Sequence, residues 1–84
     1  MPHQLFTRVA LKDDFPDYGF FRGDVATIVD CHEGMNADEP GYSLELFNAL
    51  GETVGVIVVK ESQIEPLRKD EIFHVRELNQ AAAL

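Results

Sequence analysis

Hydrophobic and polar residues alternate along four segments of the 84-residue chain. The segments are Gln4–Leu11, Asp24–His32, Tyr42–Phe47 and Thr53–Lys60, and turn-forming residues separate them. A period of two places successive side chains on opposite faces of a strand, and the β-branched residues of these segments favour that state. Short strands separated by turns are typical of β-sandwiches and barrels. The pattern therefore predicts one all-β domain.

The fourth segment is apolar on both faces. Val54, Val56 and Val58 lie on one face of the predicted strand, and Ile57 and Val59 lie on the other. A strand with one solvated face normally carries polar residues on that face. The pattern therefore predicts a strand that is covered on both sides or curled into a barrel.

The residues after the fourth segment are turn-like first and strand-like later. Glu61–Leu67 is too short for an α-helix and predicts a single 3₁₀ turn. The apolar residues of Glu71–Leu78 favour a fifth strand, which is our prediction. The alternative is a helix capped by Asp70 that runs into residues 81–83.

The long loop Lys12–Gly23 carries the candidate binding chemistry. Its aromatic residues, together with Tyr42, could form the kind of groove with which SH3 domains bind Pro-rich peptides, with the loop aspartates facing a basic flank of the ligand. The alternative is that the aromatic residues fill the end of the core, because such residues dominate small cores. The candidate partner-binding residues are Asp13, Asp14, Phe15, Asp17, Tyr18, Phe20, Phe21 and Tyr42.

The net charge of the chain limits the classes of partner that it is expected to bind. The chain has 7 Lys and Arg against 15 Asp and Glu, a formal net charge of −8. Such a surface repels phosphate backbones and anionic lipid headgroups, so we expect neither nucleic acid nor a membrane as partner. The charge either keeps the protein soluble or attracts a basic protein, and both explanations are open.

The inventory of reactive groups predicts no enzyme, no metal and no cofactor. Cys31 and His32 are adjacent in a strand and point to opposite faces, and Cys31 is expected to be buried. The histidines lack zinc spacing, the loop aspartates lack the calcium pattern, and there is no Gly-rich phosphate loop. With one cysteine and no leader-like start, we expect a cytoplasmic protein.

The order of elements, namely long loop, two hairpins, 3₁₀ turn and final strand, is that of an SH3-like barrel. Six stretches carry a recognisable pattern, namely Val9–Leu11, Pro16–Phe20, Arg22–Val29, Tyr42–Phe47, Gly51–Thr53 and Ile64–Leu67. Through these stretches the chain from about Leu5 to Leu67 resembles an uncharacterised bacterial family of small SH3-like barrel proteins. The resemblance implies this fold and a toxin-like or enzyme partner, and it implies no catalytic residue.

Two parts of the chain depart from the family pattern. Ala26 stands where the pattern usually has Gly, and residues 68–84 lie beyond it. We therefore predict one domain over residues 1–84, with an SH3-like barrel core of about five strands at 5–67 and an extension at 68–84. The predicted function is a non-enzymatic, acidic protein-interaction module that neutralises or accompanies a basic partner. The alternative is an accessory protein that forms a homodimer through Glu71–Leu78.

Overall fold

The structure is a computed structural model and describes residues 3–33 and 39–78. Its regular elements are strands and 3₁₀ turns, which confirms the all-β prediction. The strands are no longer than eight residues. The strands are β1 (Arg8–Leu11), β2 (Val25–His32), β3 (Gly41–Phe47), β4 (Thr53–Lys60) and β5 (Ile64–Pro66), and the 3₁₀ turns are Pro16–Tyr18 and Glu61–Gln63.

The five strands form one antiparallel sheet in the order β4-β3-β2-β1-β5. In the described ranges the two edge strands do not pair with each other, so the sheet is not closed and the predicted barrel is wrong in this respect. β5 has only three residues, and its last residue, Pro66, has no N–H to give to a ladder. It can extend the sheet beside β1 but offers too little backbone to close it.

The hydrophobic core lies on one face of the sheet. β3 and β4 supply alternate residues to it, as a period of two requires. Phe20 from the loop before β2 and Ile64 from the short strand β5 each add one side chain to the core. The buried cluster contains Val9, Leu11, Phe20, Ala26, Ile28, Tyr42, Leu44, Leu46, Ile57, Val59 and Ile64.

The outer face of β4 is open to solvent. Ile57 and Val59 are buried, whereas Val56 and Val58 are 58% and 52% exposed. The prediction that both faces are covered is therefore wrong. β4 is an edge strand, and no described element packs over its outer face enough to bury these two valines.

A β-bulge in β2 decides which of its residues face the core. The register with β3 shifts between Ile28 and Asp30. An extra residue in one strand reverses the alternation of faces. Ala26 and Ile28 therefore face the core before the bulge, and Cys31 packs against the same core after it. Cys31 is only partly buried, so the expectation of full burial is wrong.

The first strand is shorter than predicted. β1 begins at Arg8 rather than at Gln4. Phe6 has a φ of 65°, in the left-handed region that a β-strand excludes. The chain therefore turns before β1, although the Phe6 N–H still reaches the Ile28 carbonyl oxygen at 2.6 Å.

Residues 67–78 form neither a strand nor a helix. The fifth strand predicted at Glu71–Leu78 is wrong, because the place beside β1 is taken by β5. The helix alternative is also absent within 67–78, and its continuation at 81–83 lies outside the described residues. We call residues 67–78 the tail; side chains rather than a backbone ladder hold it against the domain.

Candidate functional site

The loop Lys12–Gly23 is folded back on itself. The Phe15 N–H donates to the Phe20 carbonyl oxygen at 2.7 Å, and these two residues form an isolated antiparallel bridge. The 3₁₀ turn Pro16–Tyr18 lies between them and ends at Gly19, which has a φ of 80°. This left-handed conformation suits glycine and lets the chain reverse within a few residues.

The structure separates the aromatic residues of the candidate site. Phe20 and Tyr42 are buried in the core, and Phe15 packs against it. Tyr18 on the 3₁₀ turn is exposed, and Phe21 is partly exposed. The five rings therefore do not form one exposed groove, and Tyr18, which is 61% exposed, is the most accessible member.

The three loop aspartates all lie at the surface. Asp14 Oδ1 accepts a hydrogen bond from the Arg22 N–H at 2.9 Å, and Asp13 Oδ2 accepts one from Gln63 Nε2 at 3.3 Å. Within residues 3–33 and 39–78, neither these two carboxylates nor that of Asp17 forms an ion pair. Their charge is therefore presented to solvent on the same loop as Tyr18.

Arg76 fastens the tail to the start of β2. Its Nε donates to Asp24 Oδ1 at 3.0 Å, its Nη2 donates to Asp24 Oδ2, and Nη2 also reaches the Gly19 carbonyl oxygen at 3.2 Å. The guanidinium lies 5.1 Å from the centroid of the Phe21 ring, as in a cation–π contact. The hydrogen bond with Asp24 raises the pKa of Arg76 above its ordinary value.

Asp24 also organises its own turn. Its Oδ2 accepts a hydrogen bond from the Phe21 N–H at 2.8 Å. One carboxylate thus closes the turn before β2 and binds the tail. Sequence reasoning missed Arg76, because no local pattern links residues 52 positions apart.

An open cleft of about 1070 Å³ separates the tail from the sheet. Ala10 and Val25 contribute to the sheet side of the cleft, and Phe73 contributes to the tail side. The Arg8 guanidinium lies 5.3 Å from the centroid of the Phe73 ring. Ile72 and Val75 are 91% and 84% exposed. The tail is therefore held at a few points and leaves apolar side chains free.

We predict that Arg76→Lys loosens the tail without unfolding the sheet. Lysine keeps the positive charge but cannot make the two-pronged contact with Asp24. Because the pair is partly exposed, we expect a loss of about 1 kcal/mol of tail binding. Backbone ¹⁵N order parameters of residues 74–78 should fall towards about 0.6 or below. Arg68→Lys, which alters the exposed contacts with Asp70 and Glu71, is the control, and an equal effect of both variants would contradict the prediction.

Tyr42 carries an unsatisfied polar atom in the core. The residue is 0% exposed, and its hydroxyl has no hydrogen-bond partner in the described part of the chain. The His3 ring meets the Tyr42 ring edge-on, with 5.4 Å between centroids. Burial raises the pKa of Tyr42 above its ordinary value of 10.0, and the charges of Glu61 and Cys31 add to this effect.

We predict that Tyr42→Phe leaves the free energy of unfolding unchanged or raises it by about 1 kcal/mol near pH 7, because a buried hydroxyl without a partner costs desolvation energy. Above pH 10 the unfolded tyrosine ionises before the folded one. The wild type should therefore lose up to about 1.4 kcal/mol per pH unit there. Urea unfolding at pH 7 and pH 11 measures both effects. An equal loss in the phenylalanine variant would show that Tyr42 is not the titrating group.

The described residues hold no cluster of three or more His, Cys, Asp or Glu side chains that could bind a metal ion. His32 Nε2 lies 2.7 Å from Ser43 Oγ and forms a hydrogen bond with it. Within the same described residues, no helix has the length and apolar character needed to cross a bilayer.

The fold and the candidate site define a small all-β protein with an open sheet, an acidic surface loop and a side-chain-bound tail. The family model described as a domain of unknown function, DUF4926, matches residues 5–66. The chain belongs to this family. The matched region contains the whole sheet and ends at Pro66, directly before the tail. No curated protein matched the chain, and no solved structure matched it.

Proposed function

We propose that this protein is a non-enzymatic module that binds a basic protein through the loop Lys12–Gly23. The observation that supports the proposal is that Asp13, Asp14, Asp17 and Tyr18 are exposed together on one loop, with carboxylates outside the ion pairs of the described residues. The partner class that fits is a toxin-like protein or enzyme with a cationic surface, met in the cytoplasm.

The loop has the mechanical properties of a binding surface. The Phe15–Phe20 bridge and the burial of Phe20 hold it against the core, so little conformational entropy is lost when a partner binds. Tyr18 supplies a large side chain with few rotatable bonds. A net charge of −8 steers a cationic partner towards the protein and raises the association rate.

We infer an SH3-like connectivity for the sheet. The order β4-β3-β2-β1-β5, with a 3₁₀ turn before the last strand, supports it. In this arrangement the loop Lys12–Gly23 connects β1 to β2 and is not itself a strand of the sheet. A partner can approach it without disturbing the ladder.

The decisive experiment compares two variants of equal charge. Asp13→Asn with Asp17→Asn removes charge from the loop, and Glu33→Gln with Glu77→Gln removes the same charge elsewhere. Each protein is used as bait at about 0.1 M and about 1 M salt, where the Debye length is about 10 Å and 3 Å. We expect a basic protein to be retained at low salt, released at high salt and lost only with the loop variant. Equal retention by both variants would refute the loop as the contact surface.

A second candidate function is self-association through the tail. The exposure of Ile72 and Val75 favours it, since apolar side chains on an extended segment can pair between copies. Light scattering of the wild type and of Ile72→Lys with Val75→Lys tests it. A monomeric wild type, or a variant that associates equally well, would remove this candidate.

A further inference from the structure

The two edge strands of the sheet differ in how well they are protected against pairing with a further strand. β5 is three residues long, contains Glu65 and ends in Pro66, and short, charged or proline-containing edges discourage further pairing. β4 is eight residues long, and Lys60 at its end is its only charged residue. Residues 3–33 and 39–78 contain no strand that pairs with its outer edge. The described part of the chain thus leaves one long, nearly uncharged strand edge open.

The outer face next to this edge is apolar. Val56 and Val58 are 58% and 52% exposed and stand two residues apart on the same face. On the neighbouring strand β3, Val56 lies opposite Glu45 and Val58 lies opposite Ser43. The valines therefore lie at the edge of this face, beside two polar residues of β3, at the position next to which an added strand would lie.

The charges at the ends of β4 are self-complementary. Glu52 directly precedes the strand and Lys60 ends it. If two copies of β4 pair antiparallel with Val56 of each copy opposite Val56 of the other, Lys60 of each copy comes within reach of Glu52 of the other. A parallel arrangement would instead bring the two lysines together. Opposite charges across an antiparallel pair are favourable, and like charges are not.

We propose that a second copy of this chain binds at β4, so that two sheets join edge to edge into one sheet of ten strands, five from each copy. Backbone hydrogen bonds along β4 supply the attraction, and Val56 and Val58 of the two copies meet on one face because opposing residues in an antiparallel ladder point to the same side. The interface is separate from the loop and from the tail, so it does not rest on the proposed function.

The first test measures molar mass by sedimentation equilibrium over a range of protein concentrations. The wild type is expected to approach twice the mass of the 84-residue chain. Val56→Lys with Val58→Lys is expected to raise the dimer dissociation constant about tenfold or more, because like charges then face each other at the interface. Both valines are more than half exposed, so the fold should survive, and circular dichroism checks it.

The matched control is Ile72→Lys with Val75→Lys, which adds the same charge to the tail and should leave the dissociation constant unchanged. A wild type that stays at monomer mass at all concentrations overturns the proposal. A dimer that only the tail variant disrupts also overturns it and supports the tail interface instead.

A charge exchange provides the second test. Lys60→Glu and Glu52→Lys alone each place like charges at both ends of the paired strands, so each is expected to weaken the dimer severalfold. The double variant restores opposite charges and should recover wild-type association. Because a general loss of strand stability would not be reversed by the second substitution, failure of this recovery in folded protein would overturn the antiparallel arrangement.

Discussion

Replacing Leu44 with alanine is expected to lower the free energy of unfolding by about 2–5 kcal/mol. Leu44 is fully buried in β3, where it lies between Ile28 of β2 and Ile57 of β4. The substitution removes apolar contacts and leaves a cavity that the surrounding strands cannot fill. Small domains have a total stability of about 5–15 kcal/mol, so this single change removes a large share of it.

Urea unfolding monitored by circular dichroism measures the effect. The matched control is Val58→Ala, which shortens an apolar side chain on the outer face of β4. Its expected effect is within about 0.5 kcal/mol, because more than half of that side chain is already in water. Equal losses in both variants, at a protein concentration at which the chain is monomeric, would mean that the outer face of β4 is buried within the chain, which would contradict the open sheet.

Local alternation of side chains was sufficient to predict β3 and β4, although it did not predict the short strand β5. β4 has the predicted bounds Thr53–Lys60, and β3 begins one residue before the predicted Tyr42. In both strands the identity of each residue decides its preferred backbone state, and the period of two decides which residues share a face. Information within a few residues of each position was enough.

Whether the sheet closes depends on which strands lie next to each other, and local alternation of side chains does not contain this information. Valines on both faces of β4 are compatible with a closed barrel and with an exposed edge, and only the neighbours of the strand decide between them. The tail has strand-like composition, but β5 already occupies the edge beside β1. The tail is instead held by Arg76 on Asp24, a contact across 52 residues.

The exposure of the charged residues in the candidate site was predictable from the sequence, and the exposure of its aromatic residues was less so. Charged side chains on a loop are almost always exposed, and Asp13, Asp14 and Asp17 follow that rule. An aromatic residue in a loop can face the core or the solvent, and sequence does not distinguish the two. The bridge between Phe15 and Phe20 turns Phe20 into the core and leaves Tyr18 outside.

Substitution of Gly55 by alanine is the second change for which we expect a large loss of stability. A Cβ atom at this position would lie 2.8 Å from Cζ and 3.0 Å from Cε2 of Phe20. Both distances are well below van der Waals contact, and the Phe20 ring is buried in the core. Interiors packed to this density do not accommodate an added methyl without displacement, so we expect a loss of about 1–3 kcal/mol.

The origin of this loss can be isolated with a double-mutant cycle. Phe20→Leu alone should destabilise the protein, because it removes ring atoms from the core. In the presence of alanine at position 55, the smaller leucine leaves room for the new Cβ, so the two losses should not add. We expect the double variant to be about 0.5–3 kcal/mol more stable than the sum of the two single losses predicts. Strict additivity would show that the ring does not press on Gly55. The loop that carries Tyr18 would then be held by the Phe15–Phe20 bridge and the burial of Phe20, and not by close packing of the ring on Gly55.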